Sequence, residues 1–478
     1  MTRSIAANIR GLTLAIALAF LVTSFGVGYW TLVSGEELNA DPYNPRLVAA
    51  IRDRPRGFIK DAAGNTLAES AQTNNAYKRI YADKTLAHVT GYASFQFGAS
   101  GIEAAYADSL IGQDPGDPLS QWRVRYLRER APPGSIVLGI DPKVQKAAVD
   151  ALGGRRGAIV AIDPRNGAIL ASASWPQYDA SLISDPATEE SAWKQVNEDP
   201  DKPLINRVTQ GLYPPGSTFK IITGAAAIES GVDPNAKVRV DDPWQADKSW
   251  GTYFVRSSSR AHGDYTMADA FRLSENIYFA KVGLRIGGAR LAEYAGKFGL
   301  GTAPKCDLPA ARGQLSNSGA LDRPTLLADT AYGQGELLVS PLQMALVAAT
   351  IANGGVMPTP HYATAVKDAS GAVLRTIEPG PVGQAIRPET AKAVTQVMVD
   401  AVQAPGAFAF GAKVAGVNVA GKTGTAETPS GAPHGWFIGF APAEAPTAVV
   451  AVLLENSPKG GEDAAPVGGA VLRAALGR

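Results

Sequence analysis

An uncharged stretch near the N-terminus constrains the fold of this chain more than any other feature. It extends from Gly11 to Gly35, and residues 12–32 within it are largely apolar. As a helix, this apolar part would be about 31 Å long, which matches the hydrocarbon core of a bilayer. A cleaved signal peptide would have a shorter apolar region and a small-residue cleavage site, and no clear site precedes Glu36. We therefore expect an uncleaved transmembrane anchor at residues 11–33.

The charges on either side of the anchor predict its orientation. Basic residues precede it, at Arg3 and Arg10, and acidic residues follow it, at Glu36, Glu37 and Asp41. Basic flanks favour the cytoplasmic side of a membrane. We therefore expect a cytoplasmic tail at residues 1–10 and an extracytoplasmic location for the rest of the chain.

The composition excludes several classes of protein. With 478 residues, 45% of them hydrophobic, the chain can bury a large core and should hold two or three domains. Its net charge of +1 offers no electrostatic basis for nucleic-acid binding. The single cysteine, Cys306, cannot form an intrachain disulfide, and no cysteine or histidine cluster indicates a metal site.

The stretch Tyr213-Pro-Pro-Gly-Ser217-Thr-Phe-Lys220 predicts a nucleophile with its base. A helix cannot continue backwards through Pro-Pro-Gly, so it should start at or just before Ser217. Residues three apart on a helix are neighbours, which brings the Lys220 amine beside the Ser217 hydroxyl. The four histidines have no triad spacing, so Lys220 is the natural base for Ser217.

A second Ser-x-x-Lys occurs at Ser191-Ala-Trp-Lys194 and serves as an internal comparison. It follows Glu189-Glu190 and precedes a polar segment, residues 195–201, so we interpret it as a solvated helix. Ser-x-x-Lys by itself is therefore weak evidence, and the partner motifs decide between the two.

Two further motifs follow Ser217 in the sequence. Ser274-Glu-Asn276 falls within a helical pattern at residues 266–286, where a serine and an asparagine can pass a proton and hold an amide. Gly421-Lys-Thr-Gly-Thr425 precedes a predicted strand at Trp436; its lysine and threonines suit a carboxylate, and its glycines allow close approach. Each motif alone has an ordinary structural explanation, as a helix cap or the end of an edge strand.

The pattern of elements predicts an α+β fold. An apolar hairpin at residues 157–174 comes first, and helical patterns begin at residues 217, 266 and 341. Strands are predicted at residues 417–420, 436–440 and 447–454, before a last helix at residues 467–476. This order favours an antiparallel sheet flanked by helices. Residues 36–153 form a mixed region, whose charged residues we interpret as ordinary solvated surface.

Ser-x-x-Lys, Ser-x-Asn and Lys-Thr-Gly, in that order, are the signature of penicillin-recognising serine acyltransferases. The chain resembles a class B penicillin-binding protein from end to end, in the short penicillin-binding protein A form. Additional similar blocks are Arg56-Gly-Phe-Ile, Gly101-Ile-Glu103, Asn206-Arg207, Gly333-Gln-Gly335 and Trp436-Phe-Ile-Gly-Phe. Glu275, in the middle of Ser-x-Asn, and Gly435 are minor departures from the family pattern.

The resemblance implies a domain order and an activity. A mixed pedestal or dimerisation-type domain is expected at residues 34–153, and a penicillin-binding transpeptidase domain with an antiparallel sheet at residues 154–478. Ser217 would attack the carbonyl between the two terminal D-alanines of a peptidoglycan stem peptide and release D-alanine. An amine from a neighbouring stem would then resolve the acyl-enzyme and form the cross-link, and β-lactam antibiotics would acylate the same serine.

The resemblance also implies a role for each site residue. Lys220 would be the general base, neutral at the moment of attack because of its burial and the nearby Lys422 charge. Ser274 would relay the proton to the leaving amine, and Asn276 would hold the substrate backbone or Lys220. Lys422, Thr423 and Thr425 would bind the donor carboxylate, and Gly424 would be a further substrate-binding residue. The backbone N–H groups of Ser217 and Thr425 would form the oxyanion hole, and the chemistry would need neither a metal nor an organic cofactor.

The resemblance implies a membrane partner and leaves alternatives open. The usual partner of the family is a SEDS-type glycosyltransferase, contacted through the anchor and pedestal, in cell division or elongation. A β-lactamase would share the motifs but would hydrolyse its acyl-enzyme quickly. A non-catalytic cell-wall scaffold would retain the fold without needing Ser217. The lifetime of the acyl-enzyme and the effect of replacing Ser217 separate these alternatives.

Overall fold

A computed structural model describes residues 5–32, 55–73, 76–114, 119, 122–123, 131–257, 262–428 and 431–478. Its α-helices, α1 to α15 in chain order, are Ile5–Leu32, Ala87–Thr90, Gly101–Ala105, Ala107–Leu110, Pro142–Leu152, Ala180–Ile183, Glu189–Glu198, Lys220–Glu229, Met267–Arg272, Asn276–Ile286, Gly288–Lys297, Pro324–Ala331, Pro341–Ala352, Pro388–Gln403 and Gly461–Ala475. Short 3-10 turns occur at Lys84–Leu86, Gly216–Phe219, Lys248–Trp250 and Phe410–Ala412.

The strands form two larger sheets and three pairs. In chain order, β1 to β17 are Ile59–Lys60, Thr66–Thr73, Ala76–Tyr81, Ala93–Ser94, Gly98–Ala99, Ser135–Leu138, Gly157–Ile162, Ile169–Trp175, Val238–Asp241, His262–Tyr265, Val356–Met357, Ala363–Lys367, Val373–Thr376, Gly383–Gln384, Ala420–Thr428, Gly431–Ala441 and Ala448–Leu454. The two larger sheets have the strand orders β15-β16-β17-β7-β8 and β13-β12-β6-β1-β2-β3.

The five-stranded sheet is antiparallel throughout and is the framework of the second half of the chain. Strands β7 and β17, in the interior of this sheet, are buried along their whole length. Because alternate residues of a strand point to opposite sides, both faces of the sheet are covered here. Ile159 and its partner Val452 pack towards α5 and α15, whereas Val160 and Ala451 pack towards the layer that contains α13. The predicted α+β fold, with an antiparallel sheet flanked by helices, is therefore confirmed.

The six-stranded sheet is mixed and combines distant parts of the sequence. Strand β6 pairs in parallel with β1 and antiparallel with β12, which follows it by more than 200 residues. The hairpin of β12 and β13 thus completes a sheet whose other strands come from residues 59–138. Sequence periodicity did not predict that a hairpin from the second half of the chain would pair with strands from the first half.

The charged residues of the first half are not all solvated surface, and that prediction was wrong. Glu103 is fully buried between two buried arginines, with one carboxylate oxygen 2.6 Å from Arg56 Nε and the other 2.6 Å from Arg79 Nε. Tyr81 also donates a hydrogen bond to Glu103, at 3.4 Å. Because Arg56, Arg79 and Glu103 come from separate segments of the chain, only the folded structure brings their charges together.

Three element boundaries also differ from expectation. The strand predicted at residues 417–420 begins only at Ala420 and continues to Thr428, so the Lys-Thr-Gly motif lies inside β15. The helical pattern at residues 266–286 is two helices, α9 and α10, separated by residues 273–275. The last helix begins at Gly461, five residues before Pro466, and not after that proline.

Helix α1 is long and apolar enough, at Ala7–Trp30, to cross a membrane, and it is unburied. It is the one such helix among the described residues. Arg10, one of the flanking charges used to predict orientation, lies in α1. The others, Arg3, Glu36, Glu37 and Asp41, lie outside the described residues.

Candidate active site

The Ser217 turn begins as the sequence predicted. A 3-10 turn over Gly216–Phe219 leads directly into α8, so Ser217 lies at the start of the helical segment. Gly216 has φ +54°, a conformation that glycine adopts without strain. The indole Nε1 of Trp436 donates to Pro214 O at 2.9 Å, which ties the turn to β16. Ser217 remains partly exposed, whereas Lys220 is fully buried.

The Lys220 amine contacts three other motif residues. Its Nζ lies 2.9 Å from Ser217 Oγ, 2.7 Å from Ser274 O and 2.7 Å from Asn276 Oδ1. Ser274 O and Asn276 Oδ1 can only accept, so they take the two N–H groups of a neutral amine. The remaining lone pair then faces the Ser217 hydroxyl, which can donate its proton to Nζ. This geometry suits a general base.

The electrostatic surroundings favour that neutral amine. Burial lowers the pKa of Lys220 well below its usual value, because a buried ammonium loses its hydration. The positive charge of Lys422 lowers the pKa of Lys220 further. The family resemblance implied the same direction, with these two causes.

Ser274 lies in the break between α9 and α10, where the backbone turns sharply. Its φ of +54° is unusual for a residue with a side chain and indicates strain that the surrounding structure holds. In this conformation its carbonyl accepts from Lys220 while its hydroxyl, 3.4 Å from Lys220 Nζ, accepts from Lys422 Nζ at 2.9 Å. Ser274 thereby connects the two lysines.

Lys422 reaches the site from β15, the edge strand of the five-stranded sheet. It is 1% exposed, and its Nζ also donates to Thr423 O at 3.1 Å. Burial lowers the pKa of Lys422 to about 7. The charge of Lys422 therefore depends on pH near neutrality.

The free edge of β15 faces the Ser217 turn. A Cβ on Gly216 would lie 2.6 Å from Thr425 O, and a Cβ on Gly424 would lie 2.7 Å from Pro215 O. These glycines allow the strand and the turn to approach closely. The N–H and C=O groups of one strand residue point to the same edge, so the Thr425 N–H also faces the turn. An oxyanion hole built from the Ser217 and Thr425 amides is consistent with this arrangement.

The threonines of the motif differ in exposure. Thr423 is buried, whereas Thr425 is exposed and accepts a hydrogen bond from Gly461 N at 3.3 Å through Oγ1. A Cβ on Gly461 would lie 2.6 Å from Thr423 Cβ, so the start of α15 packs directly behind the motif. Gly461 was not predicted to belong to this site, because it lies in no motif and far from the others in sequence.

The Gly333-Gln-Gly335 block also contributes to the site, which its sequence pattern alone did not indicate. Gln334 Nε2 donates to Thr425 O at 3.4 Å. Gly333 has φ +95°, and a Cβ there would lie 1.8 Å from Gly216 O. This block therefore braces both the nucleophile turn and the edge of β15.

The comparison motif at Ser191 behaves as predicted. It lies in α7, where Ser191 and Lys194 are both exposed and Ser191 donates to Thr188 O. Burial raises the pKa of Cys306 to about 12, which fits a packed and unreactive thiol. Across the described ranges, no group of three His, Cys, Asp or Glu side chains could hold a metal ion.

A serine hydroxyl at the start of a helix, a buried amine 2.9 Å away and a strand edge beside both define the class of protein. Together with the α+β fold, they are the site of a serine acyltransferase of the penicillin-recognising type.

Comparison with known proteins narrows this class. Residues 157–473 match the penicillin-binding protein transpeptidase domain, and residues 56–137 match the penicillin-binding protein A dimerisation domain. The peptidoglycan D,D-transpeptidase PbpA of Mycolicibacterium smegmatis is 35% identical over 98% of this chain and 99% of its own length. PbpA of Mycobacterium tuberculosis is 33% identical over the same shares of the two chains.

A solved structure gives the same result. The ceftriaxone acyl-enzyme complex of penicillin-binding protein A from M. tuberculosis superposes with a TM-score of 0.82 at 32% identity, covering 90% of this chain and 100% of that chain. The chain therefore belongs to the penicillin-binding protein transpeptidase family. The resemblance to a short penicillin-binding protein A, stated from the motifs, is confirmed.

Proposed function

We propose that this protein is a peptidoglycan D,D-transpeptidase that acts through a Ser217 acyl-enzyme. The observation that carries the proposal is the position of the Lys220 amine, 2.9 Å from Ser217 Oγ, with both of its N–H groups engaged elsewhere. The relatives named PbpA are peptidoglycan D,D-transpeptidases, and the M. tuberculosis protein was solved as a β-lactam acyl-enzyme. The protein is accordingly a serine-type transpeptidase that β-lactams acylate.

Acylation begins with proton transfer from Ser217 to Lys220. The serine oxygen then forms a bond to the carbonyl carbon between the terminal D-alanines, and the C–N bond of that peptide breaks. The proton passes from Lys220 through the Ser274 hydroxyl to the departing amine, and D-alanine leaves. The acceptor amine of a second stem peptide attacks the ester, loses its proton by the same route, and restores the Ser217 hydroxyl.

The remaining site residues bind the substrate in this scheme. Lys422 and the hydroxyls of Thr423 and Thr425 hold the terminal carboxylate, while Gly424 allows the ligand backbone to approach the strand. The amides of Ser217 and Thr425 stabilise the oxyanion. Asn276 has its Oδ1 on Lys220 and its Nδ2 on Arg256 O, so it holds the base in place.

We also propose the domain division and the location predicted from the sequence. These are a cytoplasmic tail at residues 1–10, an anchor at 11–33, a pedestal at 34–153 and a transpeptidase domain at 154–478. The unburied apolar helix α1 supports the membrane anchor. An extracytoplasmic catalytic domain and a SEDS-type glycosyltransferase partner, in division or elongation, follow from the family resemblance.

Labelling of the full-length protein in detergent with a fluorescent penicillin tests the proposal. The variants are Ser217→Ala and the matched control Ser191→Ala, which removes the serine of the exposed Ser-x-x-Lys. We expect a label that is stable for hours in the wild type and in Ser191→Ala, and none in Ser217→Ala. Peptide mass spectrometry should place the adduct on Ser217.

The same experiment separates the alternatives. A label that decays within minutes would indicate a β-lactamase. A folded wild-type protein that takes no label would favour the non-catalytic scaffold. Formation of cross-linked dimers from stem-peptide substrates by the wild type, and not by Ser217→Ala, would complete the evidence for transpeptidation.

A further inference from the structure

Glu275 lies between Ser274 and Asn276 and is fully buried. Its Oε2 accepts from Ser257 Oγ at 2.5 Å, and its Oε1 accepts from the backbone N–H of Ile277 at 3.0 Å. Both donors are neutral. The second contact makes Glu275 the N-cap of α10, where the helix dipole favours a carboxylate. Capping needs only an acceptor oxygen, which an uncharged side chain also supplies, so it does not account for a fully buried negative charge next to the base.

The groups around Lys220 suggest a further role for the negative charge of Glu275. From the 274–276 segment, Lys220 Nζ is contacted by Ser274 and Asn276, and it lies 5.6 Å from the centre of the Phe279 ring on α10. From β15 it faces the charge of Lys422, and from its own turn the neutral Ser217 hydroxyl. Glu275 directly follows the Ser274 carbonyl that accepts from Lys220 Nζ at 2.7 Å, so it lies beside the base in the fold. Its negative charge raises the pKa of Lys220, against burial and Lys422, which lower it.

The charges of this buried group balance when Lys220 is neutral. Lys422 is then the positive charge and Glu275 the negative one, and both are almost completely buried. If Glu275 were uncharged, the same site would hold Lys422 without compensation. Lys220 would then be an even poorer proton acceptor, because the positive charge of Lys422 would act on it without an opposing negative charge.

We infer that Glu275 is a positioning residue that acts through Lys220, as the buried counter-charge that keeps the catalytic base strong enough to take the Ser217 proton. The inference rests on the proposed function, in which Lys220 is that base. A second, purely structural role would be to fix Ser257, and through it the neighbouring Arg256, against the catalytic segment.

The variant Glu275→Gln separates these roles. Glutamine has the same shape, can accept from Ile277 N and can donate to Ser257 Oγ, so it removes mainly the charge. Ser257→Ala is the matched control, because it removes the hydrogen bond and leaves the carboxylate. Second-order rate constants for acylation by nitrocefin would be measured from pH 4 to 10 for the three proteins, with the adduct on Ser217 verified by mass spectrometry.

The acid limb of the profile should move to lower pH by about one unit or more in Glu275→Gln, because loss of a nearby negative charge lowers the pKa of Lys220. The plateau should fall, since a weaker base accepts the proton less readily. The acid limb of Ser257→Ala should coincide with that of the wild type. An unshifted limb in Glu275→Gln, or an equal shift in Ser257→Ala, would overturn the inference.

The remaining outcomes are also decisive. Wild-type protein that is not acylated at Ser217 would remove the proposed function and this inference with it, whereas a normal wild-type profile with no shift in the variant removes only the inference. If Glu275→Gln does not fold, Glu275→Ala is measured instead. Failure of both to fold would assign Glu275 a structural role and contradict its role as the counter-charge of the base.

Discussion

At the scale of single residues, the site depends on two lysines that are equally buried and differently surrounded. Lys220 is 0% exposed and Lys422 is 1% exposed. Lys220 donates to two acceptors and faces a second positive charge, so its neutral form is favoured. The pKa of Lys422 falls only to about 7, which leaves it substantially protonated at neutral pH. In the proposed mechanism, the same side chain thus supplies a base at one position and a carboxylate-binding charge at the other.

Replacing Lys220 with arginine should abolish acylation although the positive charge is retained. Arginine stays protonated in proteins and has no lone pair to accept the Ser217 proton. We expect the acylation rate to fall by about 10²–10⁴-fold, the usual contribution of a general base. Stopped-flow measurement with nitrocefin checks this, with Lys194→Arg in the exposed motif as control. A Lys220→Arg variant that acylates at the wild-type rate would assign the base elsewhere.

The pH dependence of acylation should report Lys422 on its alkaline side. In the proposed mechanism, the free enzyme binds a carboxylate through a protonated Lys422, and that form is lost as pH rises through about 7. We therefore expect the second-order rate constant for penicillin G to decline above neutral pH. Penicillin G methyl ester, which lacks the carboxylate, should react more slowly and show a flatter alkaline limb. Identical alkaline limbs for the acid and its ester would contradict this role.

At the scale of elements, the site is an assembly of a turn, a helix break, a strand edge and a brace. The break between α9 and α10 brings Ser274 between the lysines, and β15 brings Lys422 to it. The 333–335 block sets the distance between the Ser217 turn and the strand, because Gly333 leaves no room for a side chain against Gly216. Positioning of the nucleophile therefore depends on glycines as well as on the motif residues.

Substituting Gly333 with alanine should slow acylation by about 10²-fold, a loss typical of a displacement of about 1 Å in an active site. The added Cβ would meet backbone at Gly216 O, which cannot rotate away. Gly371→Ala is the matched control, since its φ is +89° and its Cβ position is open. It should retain the acylation rate and lose only the backbone strain energy of about 1–2 kcal/mol in stability. Equal rates in the two variants would show that Gly333 is not a brace.

At the scale of the whole molecule, the two halves of the chain are joined by a shared sheet and by polar contacts. Hairpin β12–β13 completes the sheet that contains β1, β2, β3 and β6. Glu189 of α7 accepts from Ser94 Oγ at 2.6 Å, and Trp193 stacks on Phe97 with ring centres 4.6 Å apart. Because these contacts join the two halves, we expect the described parts of both proposed domains to unfold together.

Glu103→Gln tests this coupling from a position far from Ser217 in the sequence. Removing the carboxylate leaves Arg56 and Arg79 buried without compensation, which should lower the free energy of unfolding by about 3–5 kcal/mol. Urea denaturation followed by far-UV circular dichroism and by penicillin labelling should show one shared, lowered midpoint. Glu69→Gln, on exposed β2 surface, should have little effect. Loss of secondary structure in two steps, with labelling retained in the first, would mean independent domains.

The sequence by itself determined the local parts of this protein. The α+β order, the hairpin of β7 and β8, the apolar α1 and the start of the Ser217 turn depend on residues close together in the chain. The order of the three motifs was enough to identify the family. The Ser217–Lys220 contact belongs with these, because residues three apart on a helical turn must be neighbours.

Only the tertiary structure determined which charged residues are buried together and where the helical segment around Ser274 is interrupted. Lys220 meets Ser274 across 54 residues, and Lys422 meets it across 148, so their burial and pKa shifts have no local signal. The positive φ of Ser274 and the burial of Glu275 and Glu103 likewise arise from segments that pack together after folding. Helical and strand patterns report near neighbours, whereas burial depends on every element that closes over a side chain, and this difference limits what the sequence could predict.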